Sequence, residues 1–378
     1  MRIKSFVSAL TAASLVFASV GNAIACTSLV VTDVNGNAYH GRTMEFSGRV
    51  PTDLTYFPAG TRVASATPAG NQGLTFNTKY AILGMAGAII SGAKQVAFAE
   101  GANDQGLSFS MNWLNGTTSP AVGNDNSKVL AVNDLGAWIL GNFKTVAEVK
   151  AAMASGNTEI WVPVSKMLDP TSPLPQHYTV HDKKGEAIVI EFTHGKANVY
   201  DNPVGVMTNG PEFPWHLQNL SNYTFTNVDK NTGKLGKLKL ATQDAGIALT
   251  ALPSAQTSQG RFVKAAFYVN YVRKAKTPDD AIITLGHILN NFDRPHDLTV
   301  DGSGGTGDGV RSAATSSEVT EWTVMADLSR NLYYVRSINA LNWSVIDINK
   351  LKDVKQIKSV SSYDVNKAGA DAFNLFYK

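Results

Sequence analysis

Ala23-Ile24-Ala25-Cys26-Thr27-Ser28-Leu29-Val30-Val31 is the stretch on which the reading of this chain turns. Its first three residues have the small-x-small form of a signal-peptidase site. Upstream, Met1-Arg2-Ile3-Lys4 is a short basic segment, and residues 6–20, FVSALTAASLVFASV, are apolar and uncharged. Basic start, apolar run and cleavage site agree on a secretory leader over residues 1–25, with residues 26–378 as the functional chain. A membrane anchor is the competing reading, but a span needs about 20 apolar residues and this run is shorter. No twin-arginine pair precedes it, so ordinary export to the periplasm or the exterior is expected. No later run of 18 apolar residues follows, so no membrane span is expected.

Cleavage after Ala25 leaves 353 of the 378 residues and makes the only cysteine, Cys26, the new N-terminus. Three readings compete there. Cys26 could merely open the first strand. It could be the acylated cysteine of a lipoprotein, although Ala23 stands where such sites carry a large aliphatic residue, and a strand follows instead of a polar tether. Or it is an N-terminal nucleophile carrying its own base, because an α-amino group titrates at about 7.7–8.0 and can take the thiol proton near neutrality.

Composition narrows the field further. One cysteine permits no intrachain disulfide and no Cys-rich zinc or iron–sulfur site. The formal charge is +3, and loss of Arg2 and Lys4 with the leader reduces it to +1 (31 basic against 30 acidic residues), which gives no footprint for nucleic acid. A hydrophobic fraction of 44% is too high for a disordered chain. No Pro-, Ser- or Gly-rich linker divides residues 26–378, so one domain is expected.

The patterning predicts strands at 26–32 and 38–44 joined by an Asn35-Gly36 turn, then at 61–67, 74–85, 95–99 and 107–113. Helical spacing covers 128–143, with Leu135, Trp138, Ile139 and Leu140. Thr145-x-x-Glu148 is a capping box opening a helix that Gly156 should end. Strands follow at 176–182, 186–193 and 196–208, with helices at 261–273 and at 278–291 behind Thr277-Pro278. Strands at 320–327, 331–337 and 343–347 close the chain. Strands first, helices in the middle and strands last indicate layered α+β architecture.

An amide hydrolase needs more than a thiol. Arg42 and Glu45 lie on or just beyond the strand that pairs with the Cys26 strand. There a cation could lower the thiol pKa and a carboxylate could orient the amine, although such a pair also suits a protein surface. Asn112 and Asn209 lie in turn–strand segments and could supply oxyanion donors, yet Asn209-Gly210-Pro211 is first of all a turn signal. Arg261 opens a predicted helix. Each residue alone fits a structural role.

Their order resembles the choloylglycine hydrolase family, which includes bile salt hydrolases and penicillin V acylases. Cys26-Thr27-Ser28 with Gly41-Arg42-Thr43-Met44-Glu45 resembles the family's Cys-Thr opening and Gly-Arg-x-x-Asp segment, with Glu45 in place of aspartate. Glu100-Gly101-Ala102-Asn103-Asp104-Gln105-Gly106-Leu107 resembles its Gly-x-Asn-Glu-x-Gly-Leu turn. Met207-Thr208-Asn209-Gly210-Pro211 resembles its Thr-Asn-Ser-Pro motif, and Leu252-Pro253 with Arg261-Phe262 resembles Leu-Pro-Gly…Ser-Arg-Phe. The resemblance spans essentially the whole of residues 26–378. It implies a four-layer αββα N-terminal nucleophile hydrolase sandwich. It assigns catalytic places to Cys26, Arg42, Glu45, Asn112, Asn209 and Arg261, with Asn112 holding the oxyanion. It implies hydrolysis of a small-molecule secondary amide through a Cys26 thioester, without metal or organic cofactor, and allows a homotetramer. Trp113, Phe46, Tyr56 and Phe57 offer aromatic surface for the acyl group, as does Trp138, which suits ordinary core better. Export and a Trp directly after Asn112 point to a penicillin V acylase-like substrate, with conjugated bile salts or N-acyl-homoserine lactones as alternatives.

Other motifs carry less. Gly302-Ser303-Gly304-Gly305-Thr306-Gly307 satisfies G-x-G-x-x-G but lacks the following helix pattern, so a loop is expected. Seven histidines include no H-E-x-x-H pair. Lys234, Lys237 and Lys239 read as a solvated basic run.

Overall fold

The computed structural model describes residues 25–46, 52–87, 96–165, 169–230, 233–296, 298–299, 318–370 and 372–377. The expected leader up to residue 24 and the Gly302–Gly309 segment lie outside these residues. Two antiparallel sheets form the centre. The first runs in the order Val206–Met207, Ala25–Thr32, Ala38–Phe46, Val319–Asp327, Leu332–Ser337, Ser344–Asp347. The second runs Lys196–Asp201, Ala187–Thr193, Gln176–Asp182, Leu107–Trp113, Ala97–Asn103, Ile82–Gly87, Asp53–Phe57, Lys358–Val360. Helices Ser258–Tyr271 and Pro278–Leu289 cover the outer face of the first sheet, and Leu135–Asn142 and Val146–Ala154 cover the second. The result is the expected αββα layering.

The Cys26 strand is buried at every position but its last, Thr32. Both of its faces are covered, so alternation divides its residues between two cores instead of between core and solvent. Cys26 and Val30 join the cluster between the sheets, whereas Leu29 and Val31 join the cluster beneath the outer helices. Ser28 faces inward and donates to Ser110 Oγ on the second sheet at 3.3 Å. Pairing with the next strand is unbroken from Ala25↔Glu45 to Thr32↔Ala38. The connection is a five-residue loop around Asn35-Gly36. The Asp33 carboxylate closes it, accepting from Asn35 N, Asn37 N, Asn37 Nδ2 and Tyr39 Oη. Gly41 lets the outer helix approach: a Cβ there would stand 2.9 Å from Leu285 Cδ1 and from Leu289 Cδ1.

Several expected elements are divided by hydrogen bonding that periodicity does not reveal. The 128–143 helix begins only at Leu135. Residues Val129–Ala131 form a strand parallel to Glu159–Trp161, and Ser65 Oγ accepts from Ala131 N. The 74–85 strand becomes Gln72–Asn77 and Ile82–Gly87, because Lys79 N and Tyr80 N both turn to Gly141 O. The 196–208 strand splits between the sheets. Asn202 Oδ1 accepts from Val204 N and Gly205 N, Gly205 takes φ +66°, and the chain crosses so that Val206–Met207 pairs with Leu29 and Ser28. Helix Ser258–Tyr271 starts earlier than expected, with the Thr257 hydroxyl capping Gly260 N, so Arg261 sits within the helix instead of opening it. The Thr145 cap on Glu148 N and the proline start at Thr277-Pro278 are present as read, although the Glu148 carboxylate accepts from Lys144 N and not from Thr145 N. The strands Asp53–Phe57 and Lys358–Val360 and helix Phe213–Asn219 carry weak patterns and were not anticipated.

Asp134 precedes helix Leu135–Asn142 and is buried; burial pushes its carboxyl up to about 6, opposed by the Ser65 hydroxyl that donates to it at 2.7 Å. The folded state therefore keeps this proton where the unfolded chain has lost it, and stability falls as pH rises from 3.8 to about 6. Asp134→Asn should remove this slope and stabilise the protein above pH 6 by up to about 3 kcal/mol, measured by urea unfolding of variant and wild type across pH 4–8.

Candidate active site

Cys26 is fully buried near the start of its strand. Its backbone nitrogen donates to Asn209 Oδ1 at 2.7 Å, and its Sγ lies 3.2 Å from Arg42 Nη2 and 3.6 Å from Met44 Sδ. Burial pushes the thiol up to about 11, and the nearby Arg42 charge works against that rise. Arg42, itself fully buried, also donates from Nη2 to Met111 O at 2.5 Å, and its guanidinium sits 4.9 Å from the Trp322 ring centroid. A desolvated cation over a ring is worth about 2 kcal/mol, which offsets part of the cost of burying this charge.

Asn209 couples the two halves of the site. Its Oδ1 accepts from Cys26 N and from Arg261 Nη2, both at 2.7 Å. Arg261 then reaches around the strand end. Nη1 donates to Cys26 O and to Thr27 Oγ1, and Nε donates to Gln256 O at 3.1 Å. Burial lowers the Arg261 pKa, and the Glu45 carboxylate counters that. Glu45 accepts from Thr320 Oγ1 at 3.2 Å; burial raises its pKa against the pull of Arg261.

The structure brings all six expected catalytic residues together, with one change of role, that of Asn112. Arg42 and Glu45 are three residues apart on one strand, so they face opposite ways. Arg42 faces the thiol, whereas Glu45 stands beside residue 25 on the side of Arg261. Asn112 does not present its amide as a free oxyanion donor. Its Nδ2 donates to Thr208 O at 2.7 Å and to Met207 O at 3.3 Å, so both of its hydrogens hold the chain that carries Asn209. Three residues not anticipated complete this support: Ser258 Oγ accepts from Asn209 N at 3.0 Å, His216 Nε2 lies 2.8 Å from Asn209 O, and His177 Nε2 lies 3.1 Å from Thr208 O. Serine and histidine scattered over distant segments leave no spacing signal, so the sequence could not group them.

A cavity of about 660 Å³ opens beside this cluster, walled by Trp113, Pro211, Ser258, Arg261 and Arg294, with Ala25 at the position preceding the thiol. Arg294 Nη1 pairs with Glu318 and Nη2 donates to Gln256 O, so the rim carries a paired charge. Of the four residues expected to bind substrate, only Trp113 lines this cavity. Tyr56 is buried against Phe376, and Phe57 packs edge-on to Phe98 at 5.0 Å, both in the core of the second sheet. Phe46 is half-buried against that same core. Aromatic content alone could not separate wall from core. Trp138 is core, edge-on to Phe143. Among the described residues, no group of three or more His, Cys, Asp or Glu side chains is arranged to hold a metal ion, and no helix is long and apolar enough to cross a membrane.

Asn209→Ala should leave two buried donors, Cys26 N and Arg261 Nη2, without their acceptor. The expected cost is about 2–5 kcal/mol in urea unfolding, together with loss of most turnover.

A family model described as linear amide C–N hydrolases, choloylglycine hydrolase family, matches residues 26–359. A bile salt hydrolase/transferase of Clostridium perfringens is 30% identical over 360 residues, covering 90% of this chain and 100% of its own. A penicillin V acylase of Pectobacterium atrosepticum is 26% identical over 383 residues, covering 96% and 91%. A crystallised variant of the conjugated bile acid hydrolase from Clostridium perfringens matches with a TM-score of 0.71 and 27% identity, covering 89% of this chain and 97% of that one. Penicillin V acylase from Agrobacterium tumefaciens shares the fold with a TM-score of 0.67 at 23% identity, covering 89% and 91%. Family match, full-length likeness and fold agree: the chain belongs to the choloylglycine hydrolase family, enzymes that hydrolyse linear amide carbon–nitrogen bonds.

Proposed function

We propose that this hydrolase is exported, that cleavage after Ala25 frees Cys26 as its N-terminal nucleophile, and that its substrate is an N-acylated small amine. The observation that carries the reading is the hydrogen bond from Cys26 N to Asn209 Oδ1. In the uncut chain this nitrogen belongs to a peptide bond and cannot act as a base. Once cut, it becomes an amine already held by Asn209, on the same residue as the thiol. Removal of Ala25, which lines the cavity, also opens the way from the cavity to a thiol that is otherwise fully buried.

The reaction follows from these positions. The amine takes the Cys26 proton, directly or through a water, and Arg42 stabilises the thiolate. The thiolate attacks the amide carbonyl, and charge develops on its oxygen next to buried cationic groups. Collapse expels the amine, which receives the proton from the α-ammonium. Water then cleaves the Cys26 thioester by the reverse proton path, releasing the acid. Arg261 and Asn209 keep the strand end in place throughout.

Two acyl groups merit testing. The 30% identity to a bile salt hydrolase/transferase supports a conjugated bile salt. The leader and Trp113, which lines the cavity directly after Asn112, support penicillin V. Release of free amine from glycodeoxycholate, penicillin V and acyl-homoserine lactones by the processed enzyme decides between them; no cleavage of any would refute the reading. Cys26→Ser should abolish turnover, and a form retaining Met before Cys26 should be inactive because its amine is displaced. Intact-mass analysis checks the cut: lipid on Cys26, or an uncut chain with full activity, would overturn the proposal.

A further inference from the structure

His177 and Glu191 are fully buried and face each other on neighbouring strands of the second sheet. His177 Nδ1 lies 3.0 Å from Glu191 Oε1, and His177 Nε2 lies 3.1 Å from Thr208 O. A peptide carbonyl can only accept, so Nε2 carries a hydrogen. Two lone pairs would repel at 3.0 Å, so a second proton lies between Oε1 and Nδ1, and Glu191 Oε1 also accepts from Phe213 N at 2.9 Å. The pair is then neutral as a unit, which spares the sheet an isolated buried charge.

We propose that His177, oriented by Glu191, is a positioning residue for the hydrolysis: it locks the Thr208 carbonyl, and through it holds Asn209 Oδ1 against the Cys26 nitrogen. The inference rests on the assignment of Cys26 as nucleophile. Thr208 O has two lone pairs, and the structure directs one donor at each, Asn112 Nδ2 at 2.7 Å and His177 Nε2 at 3.1 Å. At the other end of the same peptide unit, Asn209 N donates to Ser258 Oγ at 3.0 Å. The Thr208–Asn209 peptide is thus fixed at both its oxygen and its nitrogen. His177 is not among the residues lining the cavity, so it acts through Asn209 and not on substrate. Because the amine must stay within reach of its own thiol and of the leaving group, a small tilt of this peptide is costly: a displacement of about 1 Å can lose about 100-fold in rate.

The test compares His177→Leu, His177→Asn and His177→Gln in the processed enzyme, with kcat and KM determined separately and thermal unfolding recorded. The Gln amide reaches far enough to donate to Thr208 O; the Asn amide is one methylene short. His177→Leu and His177→Asn should lower kcat by about 30- to 100-fold with KM within about threefold, and His177→Gln should stay within about fivefold of wild type. If His177→Leu does not fold, the contrast between Asn and Gln decides. Equal kcat in the Asn and Gln variants, a loss confined to KM, or an unimpaired His177→Leu would overturn the role. Cys26→Ala is measured alongside: turnover there refutes the nucleophile assignment, whereas an inactive Cys26→Ala with an unimpaired His177→Leu refutes only the positioning role.

Discussion

Asn209 Oδ1 accepts two buried donors at once, the nitrogen of Cys26 and a guanidinium N–H of Arg261. One amide oxygen thereby ties the strand that carries the thiol to the helix Ser258–Tyr271 and to the chain crossing from the second sheet. Both donor residues are buried. Losing the acceptor would strand an N–H and part of a cation in a low-dielectric interior, where each such loss costs about 1–3 kcal/mol. The geometry is therefore strongly held, and the same bond fixes the position of the Cys26 nitrogen.

Much of the surrounding fold serves that arrangement. Val206–Met207 joins the first sheet as an edge strand only because Asn202 and Gly205 turn the chain out of the second sheet. That short strand delivers Thr208 and Asn209 to the end of the Cys26 strand. Asn112, His177, His216 and Ser258 then hold the two carbonyls and one amide N–H of this segment. These four come from two strands and two helices, so both sheets and the outer helical layer meet at two successive peptide units. Gly41 contributes at a distance, by letting the outer helix lie directly on the strand that carries Arg42.

The electrostatics are arranged in the same way. Two fully buried arginines flank Cys26 on opposite faces of its strand, Arg42 on the thiol side and Arg261 on the backbone side. Their charge favours thiolate over thiol, against a burial that pushes the thiol up to about 11. Glu45 balances Arg261 and not Arg42, which leaves the positive charge nearest the sulfur without a carboxylate partner among the described residues.

The amino-acid sequence alone determined the class of molecule and the members of the site. Apolar strands on either side of a helical segment suffice for layered α+β. Cys26, Arg42, Glu45, Asn112, Asn209 and Arg261 could be named because motifs keep residue order, and order survives folding. Only the tertiary structure decided their roles. Asn112 proved to be a clamp on Thr208, and Glu45 proved to face away from the thiol. Tyr56 and Phe57 belong to the core and Trp113 to the cavity, although all are aromatic residues on strands. Helix and strand breaks at residues 78–81, 129–134 and 202–205 were invisible for the same reason. The first two depend on hydrogen bonds to distant segments and the third on local bonds to the Asn202 side chain, and periodicity reports which side of an element is apolar but not what its polar groups bond.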